Sequence, residues 1–549
     1  MRADLPPRRL IPRWRKSSST LALPEAASIS KTNSIRQLPS QRDRLMHSVG
    51  AWKDSPTAGH FGDVLACAVD PDCLPDVTAF AIKAIDDEAS MTKPQRAMVN
   101  NLLGLAPPSI QSLDVVRLCN ENVQRDVKRL RSILRVNPAN PLALLDYAQL
   151  QVAAGKSRDA ERSLRSALTL APNNRLALRT VARFHVHSHD AAQAHQLLRR
   201  HPRTEHDPWL MASEIATASA AGEESVFASR GRRILKEGKF APAQISELAG
   251  AIAGLEMKNG NLKSARNLFR QALLFPNDNV IAQAVTDRQL LGIEVLPDRS
   301  TSTTSSSAVE AAALDAWQKR EVSSAGSNAM RWHLEEPFSS RPLQFLASVF
   351  SVGRLHEEAR VLALRGLTAD PNDASLTASL AYSLAAEGRL TEAEEAVRRL
   401  IQVGGTAYMP YAQATLGLIA MRQGLTDQGD SLYLGAIDAF ARAKNFSTEA
   451  VCRAYYARAA NDTGHPDREK ILKAASDAVA KHPSPDGILL LSDLGAKEIL
   501  GTTKEPGRRL YQWVLDPVAN ALIRREGVTE PGAPALVIEH RNSDRRNDN

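Results

Sequence analysis

A spacing of 34 residues organises this chain. Between Asn140 and Asn174 two amphipathic helical patterns flank a turn at Gly155-Lys156-Ser157, and Pro172 closes the unit. With Pro141 at position 1, Ala148 falls at position 8, Ala160 at 20, Leu164 at 24, Ala167 at 27 and Pro172 at 32. Small residues are required where two paired helices approach closely, and larger apolar residues fill the space between them. A single helix pair of this kind cannot bury its apolar face alone, so copies must stack.

The frame continues in both directions. Shifted back by one unit it places Leu130, Ile133 and Pro138 at positions 24, 27 and 32; shifted forward it places Ala182, Ala194 and Leu198 at positions 8, 20 and 24. Asp126 and His206 depart from the pattern in these flanking units. Residues 209–245 are helical but degenerate, with Gly222 as the expected turn, and a clear unit returns at 246–279 with Ala253, Ala265, Phe269 and Ala272. A Ser/Thr run over 296–307 interrupts the order and reads as a linker. The frame then resumes at 306–339, 340–373 and 374–407, with Ala313, Ala347 and Ala381 at position 8 and Ala325, Ala359 and Ala393 at position 20. After a two-residue slip, 410–443 supplies Gly417, Gly429, Tyr433 and Ala436, and further helical stretches follow.

This pattern resembles the tetratricopeptide repeat, a family with the same 34-residue period. The resemblance implies an all-α, right-handed α-solenoid of helix pairs in two arrays with disordered termini. The expected division is a basic disordered arm at 1–58, a helical cap at 59–106 and a first array at 107–295. The linker at 296–307, a second array with its C-terminal helical cap at 308–529 and a disordered tail at 530–549 complete it. The Ser/Thr linker is expected to join two separately stable halves.

In repeats of this family the first helix of each pair lines a concave surface that holds partner proteins or peptides. Carrying the groove-facing positions over gives Gln149, Arg179, Arg183, Gln344, Ser348 and Tyr382 as expected partner-binding residues. Arg179 and Arg183, four apart, share one helical face. A subgroup of the family grips C-terminal carboxylates with a Lys/Asn/Lys/Arg set. Leu145 and Gln149 precede Arg179 here, so that set is not reproduced and chaperone-tail binding is not implied.

Charge is distributed unevenly. The formal net charge is +8, and residues 1–60 carry eleven Lys/Arg against four Asp/Glu, so the body is close to neutral. A second reading therefore arises, a nucleic-acid-associated protein using this arm and the basic helix at 125–135. That helix sets Arg125, Lys128, Arg129, Arg131 and Arg135 opposite Val127, Leu130, Ile133 and Leu134. Aromatic interleaving of the kind that stacks on single strands is absent from the arm apart from Trp14 and Trp52. The four cysteines, Cys67, Cys73, Cys119 and Cys452, are too few for a disulfide scaffold and read as reduced thiols. No apolar run reaches the ~18 residues of a membrane span, and the expected location is cytoplasmic.

The motifs of chemistry fail on inspection. Gly155-Lys156-Ser157 resembles the end of a phosphate-binding loop, but Leu150 stands where the first glycine is required. His356-Glu357-Glu358 begins like a zinc-protease motif, but Arg360 replaces the second histidine. Six of the thirteen histidines lie between His185 and His206, with no carboxylate or cysteine set to complete a metal site. No catalytic residue, cofactor or metal is expected.

Overall fold

The computed structural model describes residues 10–14, 41–67, 73–86, 99, 112–291 and 308–495, and every regular element among them is helical. α1 (Gln41–Asp54), α2 (Ala58–Ala66) and α3 (Leu74–Asp86) come first, and α4 (Ser112–Val136) leads into the repeats. Four pairs follow: α5 (Pro141–Ala153) with α6 (Ser157–Leu170), α7 (Arg175–His187) with α8 (Ala191–Arg200), α9 (Pro208–Ala221) with α10 (Ala228–Glu237), and α11 (Pro242–Lys258) with α12 (Leu262–Ala272). A single helix, α13 (Asp278–Leu291), ends this run. The second run begins with α14 (Val309–Gln318) and α15 (Val322–Glu335), α16 (Arg341–Val352) and α17 (His356–Ala369), and α18 (Ala374–Ala386) and α19 (Leu390–Gly404). It ends with α20 (Met409–Arg422) and α21 (Thr426–Arg442), α22 (Phe446–Asp462) and α23 (Arg468–Lys481), and α24 (Pro485–Asp493). From α4 onward each helix packs on the next, which makes the chain an α-solenoid.

The boundaries have local causes. The Asn140 and Asn174 side chains accept hydrogen bonds from the Ala143 and Ala177 amides, and Asp207 and Asp373 cap α9 and α18 in the same way. Proline opens α5, α9, α11, α20 and α24, where its missing N–H costs nothing. Inside the pairs the 34-residue register holds. Ala148, Ala160, Ala182, Ala194, Ala253, Ala265, Ala313, Ala325, Ala347, Ala359, Ala381 and Ala393 are all 0 % exposed. In the pair α20/α21 both small positions are glycine because Tyr433 and Met421 need the room. A Cβ on Gly417 would lie 2.7 Å from its ring, and one on Gly429 would lie 2.5 Å from Met421.

The turn between paired helices recurs as a left-handed residue at position 15. Gly155, Gly260, Gly388 and Gly424 adopt φ of 73°, 80°, 81° and 79°, and His189, Arg320 and Arg354 adopt 61°, 62° and 62°. The Lys156 N–H reaches back to Gln151 O and the Gly155 N–H to Val152 O, each at 2.8 Å, which is the Schellman arrangement. The same pair of bonds forms around His189, Arg320 and Arg354. Three non-glycine residues thus accept a conformation that glycine takes more easily.

The two halves pack against each other on either side of the Ser/Thr run. That run lies outside the described residues, but the helices on either side of it, α13 and α14, pack together, with Ile281, Val285 and Ala311 in one cluster. A second junction closes the solenoid on itself, where α17 packs against α4 and α5. Here Arg365 donates to Ala153 O at 2.8 Å, His187 donates to Ala369 O at 3.0 Å, and His189 pairs with Asp370 at 3.0 Å. Repeat curvature brings residues about 180 positions apart together, and nothing in the local sequence pattern encodes that.

The stretch 1–58, expected to be disordered, also differs in its described parts. Gln41–Asp54 is helical, and Leu10–Trp14 is a non-helical segment whose Leu10, Pro12 and Trp14 are buried. Its partners lie hundreds of residues away, which is why helical periodicity could not reveal it. The tail at 530–549 lies outside the described residues.

Candidate functional site

The first helices of successive pairs share one face, and Leu10–Trp14 lies along it. Each of its anchors meets a surface made by a different part of the solenoid. Leu10 packs with Met211 and Ile215 of α9 and Leu248 of α11. Gly250 of α11 makes the room, since a Cβ there would sit 2.7 Å from Leu10 Cδ1. The backbone is held by Asn279, whose Nδ2 donates to Ile11 O at 3.2 Å.

Arg13 is gripped by three carboxylates. Its guanidinium donates to Asp278 Oδ2 at 2.7 Å and to Glu336 Oε1 at 3.1 Å, and to Glu310 Oε2 in a still shorter contact. Asp278 opens α13, Glu310 lies in the first turn of α14, and Glu336 follows α15, so the grip draws on both sides of the Ser/Thr run at 296–307. Burial alone would lower the guanidinium pKa, but the three carboxylates outweigh it and hold the pKa well above its usual value. The carboxylates are themselves oriented. Arg341 donates to Glu310 at 3.1 Å, and the Trp332 indole N–H donates to Glu336 at 3.1 Å.

Trp14 enters an aromatic box. Its ring stands 6.0 Å from Phe184, 5.5 Å from His187 and 5.3 Å from Phe338, with two of the three contacts edge to face. His187 is kept neutral, since burial pushes its pKa down to about 4. The Trp14 indole N–H has no hydrogen-bond partner among the described residues. Burying ~200 Å² of tryptophan is worth about 5 kcal/mol and a buried leucine about 2 kcal/mol more. Ordering five backbone residues costs about 5–10 kcal/mol. Those terms nearly cancel, so the Arg13 cluster decides whether the segment docks.

Beside Trp14 a cavity of about 280 Å³ remains. It is lined from α7 by Arg183, from the turn after α7 by His189, from α16 by Arg341 and Gln344, and by Asp370 and Asp373 near α18. Among the described residues Arg183 forms no ion pair within the first array. Burial pushes its pKa down to about 10, against the pull of Glu336, so it stays charged at neutral pH.

Of the six residues singled out from the sequence, the structure brings Arg183 and Gln344 together in this cavity. Gln344 donates through Nε2 to Asp373, which caps α18. The other four do not line it. Gln149 is buried in the interior of the first array. Arg179 turns away from Arg183 and forms a buried ion pair with Glu247 at 2.8 Å, its guanidinium 5.2 Å from the Trp209 ring centre. Ser348 and Tyr382 face the later helices α24 and α22, which pack against the first-helix face of the second half. Ser348 Oγ lies 3.5 Å from Asp486, and Tyr382 meets Tyr455 edge to face at 4.9 Å.

The sequence reading missed Leu10, Arg13, Trp14, Asp278, Glu310 and Glu336. Asp278 and Glu310 look like ordinary first-turn residues, favoured there by the helix dipole, and Glu336 like a polar residue at a helix end. Trp14, a large aromatic in an acid-poor arm, was the one available signal. The basic positions Arg125, Lys128, Arg129, Arg131 and Arg135 are exposed on α4. The clustered histidines do not converge. His195 bridges Glu214 and Glu223 at 2.9 Å each, and no group of three metal-binding side chains occurs among the described residues. Cys67, Cys73 and Cys452 are buried, and no described helix is long and apolar enough to cross a membrane.

No protein-family model matches this sequence, and no curated protein matches it. Among solved structures, the fold aligns with the crystal structure of the yeast Tom70 over 86% of this chain and 95% of that one, at 11% identity and a TM-score of 0.31. A likeness that loose carries no argument, so function is read from this chain's own residues.

Proposed function

We propose that this chain is a non-enzymatic scaffold of the tetratricopeptide-repeat kind, which holds an extended segment of a partner protein along its first-helix face. One observation carries the reading: that face already holds a non-helical segment, Leu10–Trp14, by an apolar anchor, a charge cluster and an aromatic box. Arg183 and Gln344, beside Trp14, are the expected partner-binding residues that remain available in the cavity. The non-enzymatic part is supported by how the polar groups of the site are used. His187 and His189 are bound to Ala369 O and Asp370, and Asp373 is bound as a helix cap, so each acid or base already has a structural partner.

The test is site-specific crosslinking. A photo-crosslinking residue in place of Arg183 should form protein–protein adducts in the native host extract. The same residue in place of Arg162, whose side chain is 78% exposed on α6, should not. Adducts from position 162 alone would place the partner elsewhere.

A further inference from the structure

We propose that the ligand of this groove is an extended peptide presenting an apolar residue and, three and four positions later, a basic residue followed by a large aromatic. Leu10–Trp14 is then the chain's own tethered copy of that ligand, which the partner displaces. The inference rests on the reading of the face as a peptide-binding surface and adds the chemistry of what it takes.

Leu10–Trp14 is held as a ligand is held. Its polar contacts reach residues 265 to 323 positions away. The receiving surface is shaped for these side chains at three separate places. Gly250 leaves out the one atom that would block Leu10. Asp278, Glu310 and Glu336 come from three elements to meet at one guanidinium. Phe184 and Phe338, from the two halves of the solenoid, wall the aromatic box. Charge complementarity therefore names the occupant, because three converging carboxylates accept a cation and reject an acidic peptide.

The seat is also incompletely filled. The Trp14 indole N–H makes no hydrogen bond to a described residue, and the cavity of about 280 Å³ with Arg183 and Gln344 lies beside it. A longer partner segment gains contacts there that Leu10–Trp14 does not make. An internal segment competes with the advantage of an effective concentration on the order of millimolar, so a partner needs those additional contacts to displace it.

The experiment uses a fluorescently labelled synthetic peptide, RRLIPRWRK, corresponding to residues 8–16, titrated against the full chain by fluorescence anisotropy. The full chain carrying Arg13→Ala and Trp14→Ala should bind it at least about tenfold more tightly than the wild type, whose groove is occupied from within. Adding Glu310→Gln and Glu336→Gln to that variant should weaken binding by about tenfold or more, and a peptide with glutamate at the central arginine should not bind. Equal binding by wild type and variant, binding indifferent to the two glutamates, or no binding by a variant that keeps its helicity and melting profile would each overturn the proposal. If the double variant fails to fold, the wild type is read instead by hydrogen exchange. Excess peptide should speed exchange at the Trp14 amide, and unchanged protection would overturn the proposal. Should the peptide fail while a crosslinker at position 183 still captures a partner, the groove reading stands and this ligand chemistry falls.

Discussion

Gly155→Ala probes the junction at which the solenoid closes on itself. Gly155 turns the chain between α5 and α6 with φ of 73°, and a Cβ there would lie 2.9 Å from the backbone oxygen of Thr368 on α17. Two costs follow. A left-handed conformation for an L-residue costs roughly 1–2 kcal/mol. The overlap falls on a main-chain carbonyl, which cannot rotate away, and forcing it adds roughly 1–3 kcal/mol. Gly260→Ala is the matched control: the same position of its own repeat, φ of 80°, and no atom within 4 Å of the added Cβ. It should pay the first cost alone. The loss at Gly155 is capped by the free energy of the junction itself. Three hydrogen bonds hold it, from Arg365, His187 and His189, each worth about 1 kcal/mol net. Beyond that cap the two halves separate.

A chain of this size need not unfold in one step, so a single midpoint is a poor readout. Amide exchange in segments covering 150–158 and 364–373 reads the junction directly, with urea transitions as a second measure. Gly155→Ala should accelerate exchange in the 364–373 segment and Gly260→Ala should not. Equal destabilisation by the two substitutions, with no change at 364–373, would refute the closure and leave the turn conformation as the whole effect.

Arg179→Glu sets a carboxylate beside the buried Glu247 and should destabilise the first half by about 3–5 kcal/mol, seen as a lower melting temperature, whereas Arg183→Gln in the cavity should cost less than about 1 kcal/mol. Ala393→Glu buries a charge at a position 0 % exposed and should cost more than Ala393→Leu, for which overpacking predicts about 1–3 kcal/mol; an unchanged melting curve for the glutamate variant would contradict the register. Burial lowers the pKa of His187 to about 4 and of His333 to about 3, so the unfolded chain takes up protons there between pH 6.5 and those values while the folded chain does not. Their contribution is complete above pH 6.5 and falls as pH drops, by roughly 2 kcal/mol per imidazole at pH 5. His333→Leu removes a ring with neither nitrogen hydrogen-bonded, so it should raise stability at pH 7 and flatten the loss between pH 7 and 5 in urea titrations.

The sequence revealed what is local and repeated. Ala160 and Ala393 were placed at close helix contacts by spacing alone, because a 34-residue period is written in side-chain volume and each pair solves the same packing problem. Gly155 was identified as a turn, but His189, Arg320 and Arg354 fill the same left-handed position without a glycine to announce it. The site was legible only in part. Position in the repeat singled out Arg183 and Gln344, which line one cavity in the structure. It misjudged Arg179, whose fate depends on Glu247, 68 residues away. Ser348 and Tyr382 occupy groove positions, yet α22 and α24 cover them, because the second half curves far enough to fill its own inner face. No window of sequence contains that curvature. Arg13 is the extreme case, since its three acids are contributed by elements on both sides of an interruption in the repeat.

Selectivity at this groove follows from the acids more than from the aromatic box. An apolar pocket distinguishes poorly between side chains of similar size, since a methylene more or less changes binding by about 1–3 kcal/mol. A buried polar site rejects a ligand that leaves it unpaired far more strongly. Phe184, His187 and Phe338 therefore supply affinity for any large ring. A peptide lacking a cation would remove the guanidinium on which Asp278, Glu310 and Glu336 converge. Arginine meets three acceptors in different directions, which its planar five-donor fork can do and the compact ammonium of lysine does less completely. Because Asp278 precedes the Ser/Thr run at 296–307 and Glu310 follows it, whatever guanidinium fills the site also ties the two halves together at α13 and α14. Recognition of a cation and closure of the solenoid across its interruption are thus one electrostatic event.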